Sequence, residues 1–387
     1  MGESDRLVTV LTKEHGLVRA IAPGARKHKS RLGGRSGLFV VNDVLFTRGK
    51  SIDKLIQAET LKSFPGLSRD LAKLTASQYL AEIVLALALT EQPQEELYYL
   101  LVEHLSRLES ASKSNVLPCL AQATFHFLAL AGVAPEVFRC CLSRVPLTVE
   151  LGNSDWKVGF SVSSGGAVAT EEIDRLERDR LKEVEQRIAQ RDAEREVQNR
   201  IHSAMPLVAE STDSYNAGSL ENRIENGENG NPIANIQKSH TQEMRTRETS
   251  AKKKELSAGL RSQISKDVAK QIGVVTYLSG AELALMQQLS KPELVMTSSS
   301  QVLSTVRSQI SPESGTIRQP TSSTSANSAN TGVSDVFRSR DMLEASGHTA
   351  SGPHVMWRHV EQALRQYAQY QFDRPIKSAA LIDTCFS

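Results

Sequence analysis

The fold is decided by residues 6–24, RLVTVLTKEHGLVRAIAPG. Leu7–Thr12 is rich in β-branched residues and precedes a Lys-Glu-His-Gly turn, which predicts a first strand and a hairpin. Leu17–Ala22 is the second predicted strand and ends at Pro23-Gly24. Two further strands are predicted at Leu38–Thr47, broken near its middle, and at Ile52–Leu61. Short strands at close spacing with Gly-rich turns favour a small β-barrel over residues 1–66 rather than a βαβ unit.

The spacing of the apolar residues changes after Pro65-Gly66. From Ser68 to about Ala131 apolar side chains recur three and four residues apart, which predicts helices with one buried face. Gln92-Pro93 separates the first helix from two more, and Ser68 is the predicted N-cap of the first. Short connections between these helices predict an antiparallel helical bundle over residues 67–168. The predicted fold class is therefore α+β.

The remaining chain alternates between helical and low-complexity segments. Residues 171–200 include 18 charged side chains, with acids four residues ahead of bases, which favours an exposed solitary helix over a coiled coil. This helix and the disordered segment predicted at 203–265 make up an insertion over 169–272, and a disordered Ser- and Thr-rich linker is predicted at 296–354. Helical segments are predicted within 273–295 and 355–387. Both are expected to pack on the bundle, because neither can bury its apolar stripe alone.

Composition excludes several classes of protein. The longest apolar run, Ile83–Leu89, is short and lies between Glu82 and Glu91, which predicts neither a signal peptide nor a membrane span. Four cysteines without regular spacing favour a reducing compartment over a secreted disulfide framework. Aromatic residues make up 5% and the net charge is only +2, so a moderate core with much solvated chain is expected.

Charge is concentrated near the front of the chain. Residues 1–69 hold 13 Lys and Arg against 6 Asp and Glu, and residues 26–35 hold five cations, three Gly or Ser residues and no acid. A basic loop on a small barrel suits binding of nucleic-acid phosphates, and a solvated loop that keeps the protein soluble is the alternative. The candidate phosphate-binding residues are Arg26, Lys27, Lys29, Arg31 and Arg35, extended by Arg48 and Lys50 at the next turn. A second contact is predicted at Arg358, Arg365, Arg374 and Lys377, which could equally be solvent-facing residues of a packed helix.

No catalytic or metal-binding motif is found. The only barrel aromatics, Phe39, Phe46 and Phe64, are expected to be core residues rather than base-stacking platforms, so binding should be led by the phosphate backbone. Core or surface roles are favoured over catalysis for the histidines, including His15 of the first turn and His104 and His126 of the bundle. The adjacent Cys140 and Cys141 are poorly placed to share a tetrahedral metal with Cys119 or Cys385. No cofactor is expected.

Residues 2–16, GESDRLVTVLTKEHG, resemble the opening of the RecO recombination mediator family. The resemblance covers roughly 1–168, 273–295 and 355–387. Four more stretches carry it, namely APGARK at 22–27 with SRLGG at 30–34, the Phe64-Pro65 pair leading into YLAE at 79–82, LRQY at 364–367, and RPIKS at 374–378.

This resemblance implies an N-terminal OB-fold barrel on a helical domain. It further implies a non-enzymatic, cytoplasmic and nucleoid-associated protein that binds single- and double-stranded DNA and anneals complementary strands. With the partner RecR, such a protein helps RecA displace the single-strand-binding protein. The acidic, apolar-ended tail of that protein would suit a groove between bundle helices.

Three departures from the family pattern are expected to matter. The family has a strand ahead of the Gly-Glu-Ser-Asp-Arg motif, so only four of the five barrel strands are predicted here. Many members carry two Cys-x-x-Cys pairs, whereas here Cys140 precedes Cys141-Leu142-Ser143 and Gly165-Gly166 precedes a cysteine-free stretch. The zinc site is therefore predicted to be lost. Insertions at about 170–272 and 296–354 interrupt the helical domain.

Three functions from different classes remain open. A DNA repair and recombination mediator is favoured by the basic loop and the resemblance. A protein-interaction scaffold would instead recruit partners through the charged helix and the low-complexity insertions. An RNA-binding OB protein is the third and weaker alternative.

Overall fold

The computed structural model describes residues 2–204, 258–291 and 352–386, and it confirms the mixed α+β fold class. The N-terminal part holds four strands, and each predicted strand forms within two residues of its predicted ends. Their bounds are β1 Arg6–Thr12, β2 Gly16–Ala22, β3 Val40–Thr47 and β4 Asp53–Ser63. The predicted break in the third strand is a register shift between Val41 and Asn42.

These four strands form one sheet in the order β1-β2-β4-β3. β1 and β2 form an antiparallel hairpin, β2 runs parallel to the start of β4, and β3 is antiparallel to β4. The inner face packs on a small core in which Ala22, Ala25, Leu55 and Ala58 are buried. Within the described residues, β1 and β3 are the two edges of this sheet.

A cavity of about 650 Å³ lies between the β1 and β3 edges and the first two helices of the bundle. Its walls are mostly apolar, with Val10 and Val41 on the strand side and Val84 and Leu101 on the helix side. The N-terminal sheet contacts the bundle at the far end of the β1–β2 hairpin, where the Leu17 N–H donates to the Leu89 carbonyl oxygen at 2.9 Å. The left-handed φ of +63° and the closeness of that carbonyl both require glycine at position 16.

Three helices follow the sheet, at α1 Leu71–Leu87, α2 Glu95–Ser110 and α3 Val116–Leu130. The predicted N-cap of α1 is wrong. The Asp70 carboxylate accepts hydrogen bonds from the backbone N–H groups of Ala72 and Lys73, whereas the Ser68 hydroxyl donates to the Pro65 carbonyl oxygen. Ser68 lies two residues before the N-cap position, too early to reach the free N–H groups of the first turn.

A second sheet lies in the region that was predicted to be entirely helical. It consists of β5 Lys157–Ser161, β6 Gly166–Ala169 and β7 Val274–Ser279 in the order β6-β5-β7. All neighbours in this sheet are antiparallel. The predicted C-terminal helical segments follow, as α6 Gly280–Leu289, α7 Pro353–Phe372 and α8 Ala379–Cys385.

The helical segments after β7 pack on the bundle, as predicted. Trp357 and Leu364 of α7 are fully buried in the same core as Tyr79 of α1 and Phe127 of α3. Phe160 of β5 belongs to this core as well, so the second sheet and the helices form one apolar interior. In the described part of the chain, no helix combines the length and apolar character needed to cross a membrane.

Residues 170–273 form a separate compact unit. It holds α4, Thr170–Ala204, and a further helix, α5, over residues 258–271. The Ser265 hydroxyl of α5 donates to the Glu177 carboxylate of α4 at 2.7 Å, and Ile264 and Val268 are buried. The expectation of a solitary helix is therefore wrong for the first turns of α4, and residues 258–265 are helical rather than disordered. The rest of the predicted disordered insertion and most of the 296–354 linker lie outside the described residues.

Candidate nucleic-acid interface

The connection between β2 and β3, residues 23–39, carries the predicted phosphate-binding cations and is called the basic loop here. All five of its Lys and Arg side chains are exposed, and the structure places no acid within the loop. Successive turns shape the backbone, including hydrogen bonds from the Ser30 N–H to the Lys27 carbonyl oxygen and from the Ser36 N–H to the Leu32 carbonyl oxygen. The exposed cations are Arg26, Lys27, Lys29, Arg31 and Arg35.

The side chain of Arg6, at the start of β1, holds the far half of the basic loop in place. Its Nη1 atom donates to the Gly33 carbonyl oxygen at 3.1 Å and to the carbonyl and hydroxyl oxygens of Ser36 at 3.0 Å. Arg6 is thereby directed into the protein and satisfies backbone carbonyls. It positions the loop and leaves the outward-facing cations free to bind an anion.

Asp5 holds the near half of the loop. Its carboxylate accepts hydrogen bonds from the backbone N–H groups of Gly24 and Gly2, and these two bonds lower the pKa of Asp5. The Arg26 N–H donates to the Ser4 carbonyl oxygen at 2.9 Å. Gly24 has a positive φ of 62°, which lets the chain turn directly after β2.

Two apolar side chains attach the loop to the sheet. Ala25 is buried among the core residues of the sheet, and Leu32 packs against the same core. The loop therefore has an outer surface of exposed cations and an inner surface at Ala25 and Leu32 that packs on the sheet. The loop is held at both ends and in its middle.

Arg48 and Lys50, in the turn between β3 and β4, lie far from the basic loop. Arg48 forms an exposed salt bridge of 3.6 Å with Glu91, whose backbone N–H donates to the His15 carbonyl oxygen. His15 lies in the turn after β1, whereas the basic loop is attached at the start of β1. The two groups of cations are thus separated by the length of the hairpin, about 20 Å for seven residues.

Four cations near the C-terminus were predicted to make a second contact, and the structure corrects this for Arg365. Arg365 is 7% exposed and bridges Glu361 and Asp383, with a further hydrogen bond to the Ala379 carbonyl oxygen. It therefore anchors α8 on α7, and its side chain is not accessible to a binding partner.

The other three predicted contacts have different surroundings. Arg358 is half-buried and donates to the Phe386 carbonyl oxygen, while Arg374 and Lys377 are exposed after the end of α7. The last two are thus the members of the group that an anion can reach.

The barrel aromatics are core residues, as expected. Phe64 is 4% exposed and lies in the main core, and Phe39 packs against that core. Phe46 packs on the inner face of the sheet. The structure therefore offers none of these three rings as an exposed platform for base stacking.

The family model described as "Recombination protein O N terminal" matches residues 1–64, and "Recombination protein O C terminal" matches residues 68–181. A DNA repair protein RecO of Nostoc sp. (strain PCC 7120) is 38% identical over 100% of this chain and 92% of its own length. The chain belongs to the RecO family. A second relative of the same name, from Acaryochloris marina, is 36% identical over 100% of this chain and 91% of its own length.

Another relative has a higher sequence identity over a shorter part of this chain. A DNA repair protein RecO of Gloeothece citriformis is 66% identical over 169 residues, which span 43% of this chain and 60% of that relative. Membership places the chain among proteins of DNA repair and recombination, with an OB-type N-terminal domain. The sheet and the helices that follow it correspond to the two matched regions.

The cysteines of this RecO chain form no disulfide, and the described residues contain no cluster of three His, Cys, Asp or Glu suited to a metal ion. Burial raises the pKa of the Cys140 thiol, but hydrogen bonds from Ser143 and from backbone N–H groups outweigh that effect and lower it. One of these donors is the Ala169 N–H, at 3.3 Å. Backbone donors surround the Cys140 sulfur instead of further metal ligands.

The bundle histidines are paired in the interior. His104 Nε2 and His126 Nδ1 are 3.1 Å apart, and His126 Nε2 lies 2.9 Å from the Leu289 carbonyl oxygen. Burial, together with the neighbouring His126, lowers the pKa of His104 to about 3. His104 is buried and His126 is partly buried, which fits the core or surface roles expected for them, and the two rings connect α2, α3 and the end of α6.

Sequence reasoning missed the two residues that shape the interface, Asp5 and Arg6. Both stand in the GESDR stretch that carried the family resemblance, but a charged pair just ahead of a strand gives no sign of its distant partners at Gly24 and Gly33. The available signal was their position at the start of β1. In an antiparallel hairpin the start of the first strand lies beside the end of the second, so Asp5 and Arg6 lie next to the loop that follows β2.

Proposed function

We propose that this protein is a non-enzymatic mediator of DNA repair that binds single- and double-stranded DNA through the basic loop and promotes annealing of complementary strands. The observation that supports this most directly is the set of five exposed cations on a loop that Asp5 and Arg6 hold in a fixed shape. A held loop loses less conformational entropy on binding than a mobile one. Phosphate contacts release condensed counterions, which supplies most of the affinity.

Annealing follows from the same charges without a catalytic group. Two DNA strands repel each other through their phosphates, and cations that neutralise part of this charge lower the repulsion. Base pairing and stacking then drive the strands together. We propose further that the protein acts with RecR, binds the tail of the single-strand-binding protein and thereby helps RecA to load, at a location in the cytoplasm near the nucleoid.

The salt dependence of DNA binding tests this proposal. The variant R26Q/K29Q/R31Q removes three exposed charges, and the slope of log affinity against log salt for duplex DNA should become shallower by about 2.7. Fluorescence anisotropy with a labelled duplex, measured at several salt concentrations, gives this slope. The matched control R69Q/K113Q/R139Q removes three exposed charges elsewhere and should leave the slope unchanged. Equal slopes for the loop variant and the native protein would move the binding surface elsewhere.

The scaffold alternative is favoured by one observation, the separate compact unit at 170–273. β6 and β7 flank β5, with Ala169 beside Val158 and Val274 beside Ser161, so the two ends of the insertion lie roughly 14 Å apart. An eight-residue Gly/Ser linker spans this distance and can replace the unit. If the protein is a mediator, the variant with the linker should keep DNA binding and annealing. If the protein is a scaffold, the variant should lose both of these functions and should no longer bind its main partner. Competition between DNA and RNA oligomers for the protein distinguishes the proposed DNA-binding function from the RNA-binding alternative.

A further inference from the structure

A polar cluster joins three elements of the C-terminal half and has no part in the proposed DNA binding. It consists of Thr276 of β7, Glu282 of α6 and His359 of α7. The Thr276 Oγ1 atom lies 2.6 Å from His359 Nε2, and His359 Nδ1 lies 2.7 Å from Glu282 Oε1. The imidazole therefore stands between a hydroxyl and a carboxylate, with each ring nitrogen hydrogen-bonded to one of them.

Strand register sets the direction of the Thr276 side chain. Thr276 opposes Phe160 of β5, whose ring is fully buried, so both side chains lie on the side of the sheet that faces the core. A register shift leaves Val275 as an extra residue just ahead of Thr276, and such bulges re-aim neighbouring side chains. Thr276 is only partly buried, and 31% of the His359 side chain is exposed, so small solutes can reach the pair.

The Glu282 carboxylate is itself held in place. Its second oxygen, Oε2, accepts hydrogen bonds from the backbone N–H and the hydroxyl group of Ser279 at 2.8 and 2.9 Å, in the capping box that begins α6. A fixed carboxylate beside Nδ1 keeps the proton of a neutral imidazole on that nitrogen. The lone pair then lies at Nε2 and faces the Thr276 hydroxyl, which is the arrangement of a nucleophile, a base and a residue that orients the base.

Glu282 is the charged group that acts on His359 from the elements packed around it. β7 contributes the uncharged Thr276, since Tyr277 points to the opposite face of the strand. α3 also packs on α7, but it carries no acid, Lys or Arg, and its one histidine is already paired with that of α2. On α7 itself, Arg358 donates to a backbone carbonyl oxygen near the C-terminus. The hydrogen bond to Glu282 raises the pKa of His359, so this carboxylate sets the pH at which the imidazole becomes neutral.

We propose that Thr276 is an activated hydroxyl that accepts an acyl group from an activated carboxylic ester, with His359 as the general base and Glu282 as the positioning residue. Thr276 Oγ1 attacks the carbonyl carbon of the ester while His359 Nε2 takes the hydroxyl proton. When the bond from that carbon to the leaving oxygen breaks, the leaving alcohol takes the proton from His359, and an acyl-Thr276 ester remains. This modification site is independent of the proposed DNA-binding function, which needs no catalytic group.

Acetylation of the full chain by p-nitrophenyl acetate tests the proposal. The native protein should release p-nitrophenolate in an initial burst, and tandem mass spectrometry should locate an acetyl group on Thr276. Thr276→Val removes the acceptor and should abolish the burst, whereas Thr276→Ser should keep it. His359→Gln should slow acetylation of Thr276 by about a hundredfold, as expected for loss of a general base. The matched control is Thr60→Val in β4, because the exposed Thr60 hydroxyl donates to the Asn42 side chain and not to an imidazole. It should leave the rate unchanged.

The pH dependence of acetylation separates this role from a purely structural one. The neutral imidazole is the base, so the rate should rise with pH through the pKa of His359 and level off above it. In the native protein the midpoint should lie above about 6.5, the ordinary value for histidine, because the hydrogen bond to Glu282 raises this pKa. In Glu282→Gln the midpoint should move to lower pH and the plateau rate should fall.

Three results would overturn the proposal. They are the absence of acetyl from Thr276 in the folded native protein, equal labelling of Thr60 and Thr276, and an equal rate at Thr276 in the native protein and His359→Gln. Thermal unfolding reports whether each variant is folded. If Thr276→Val does not fold, Thr276→Ser and the pH profile of the native protein still decide the question.

Discussion

Two arginine-bearing regions of this protein show how the same residue type serves opposite purposes. In the basic loop, Arg31 and its neighbours are exposed and face no acid within the loop. Between α7 and α8, Arg365 is 7% exposed and bound to Glu361, Asp383 and a carbonyl oxygen. The first region keeps its charge available for a partner, and the second uses its charge entirely within the fold.

The two regions also differ in the cores beneath them. The loop rests on a sheet whose buried core is small, consisting of three alanines and Leu55, and within the described residues its outer strands β1 and β3 are edges. Arg365 stands beside a large core that includes Trp357, Tyr79 and Phe127. A buried ion pair needs such rigid surroundings to hold all its hydrogen bonds, whereas exposed cations need only a scaffold that fixes their spacing.

Removal of the buried guanidinium should have the largest effect on stability. Arg365→Met leaves the carboxylates of Glu361 and Asp383 without their partner, and the free energy of unfolding should fall by about 3–5 kcal/mol. Urea denaturation followed by circular dichroism measures this change. Arg31→Met, in the basic loop, should change the same quantity by less than about 0.5 kcal/mol.

A double variant sharpens this comparison. In E361L/R365M the buried acid is removed as well, and much of the lost stability should return, because an apolar pair of similar volume replaces the ion pair. Burial raises the pKa of Glu361 to about 7, so the carboxyl is the member of the pair that gains most from replacement. Similar losses for Arg365→Met and Arg31→Met would contradict the assignment of Arg365 as an anchor.

Core truncation should show the same contrast between the regions at a smaller scale. Leu120→Ala, in the fully buried centre of α3, should lower the free energy of unfolding by about 3–4 kcal/mol, because an enclosed void remains. Leu55→Ala, in the sheet, should cost about 1 kcal/mol less, because Leu55 already borders the cavity beside β1 and β3. Both values come from urea denaturation, and a larger cost for Leu55→Ala would show that the sheet is the more rigid region.

The sequence alone predicts much of this contrast. The four N-terminal strands, the three bundle helices and the exposed cations were each predicted from local pattern. The second sheet was not, because β5 and β7 are joined across more than 100 residues and each is short. Arg365 was misassigned because only the packing of α8 on α7 decides that this side of α7 is buried.

The candidate site follows the same rule. The charges of the loop are local in sequence, whereas the hydrogen bonds of Asp5 and Arg6 that shape it span 19 to 30 residues. The strand register of the sheet beneath the loop cannot be fixed from a single sequence either. The features that depend on local residue pattern could be predicted from the sequence. The features that depend on contacts between distant residues could not.

The buried His104 makes the stability of the bundle depend on pH. The pKa of His104 is lowered to about 3, while an unfolded histidine titrates near 6.5, so the unfolded state binds the proton first as the pH falls. Stability from this group is therefore complete above about pH 6.5 and is lost toward pH 3. Between pH 7 and pH 5 the loss should be about 2 kcal/mol.

Chemical denaturation of His104→Asn across this pH range checks the prediction. The variant should lose stability less steeply on acidification than the native protein, even if it is less stable at pH 7. His15→Asn, in the exposed hairpin turn, is the matched control and should follow the native curve. Parallel curves for the native protein and the His104 variant would show that another group carries the acid sensitivity.

The smallest expected effect on stability lies at the exposed pair of Arg48 and Glu91. Their side chains are 89% and 86% exposed, so the salt bridge between them is well solvated and contributes little to the fold. Glu91→Gln should change the free energy of unfolding by less than about 0.5 kcal/mol. Its effect on DNA binding should nevertheless be measurable, because in the proposed binding mode Glu91 competes with DNA phosphates for Arg48. Removal of this acid should strengthen DNA binding and steepen the salt slope by up to about 0.9, the value for one added phosphate contact. Glu95→Gln, an exposed acid in the first turn of α2, should leave the slope unchanged. An unaltered slope in Glu91→Gln would show that DNA phosphates do not bind at the turn of Arg48 and Lys50.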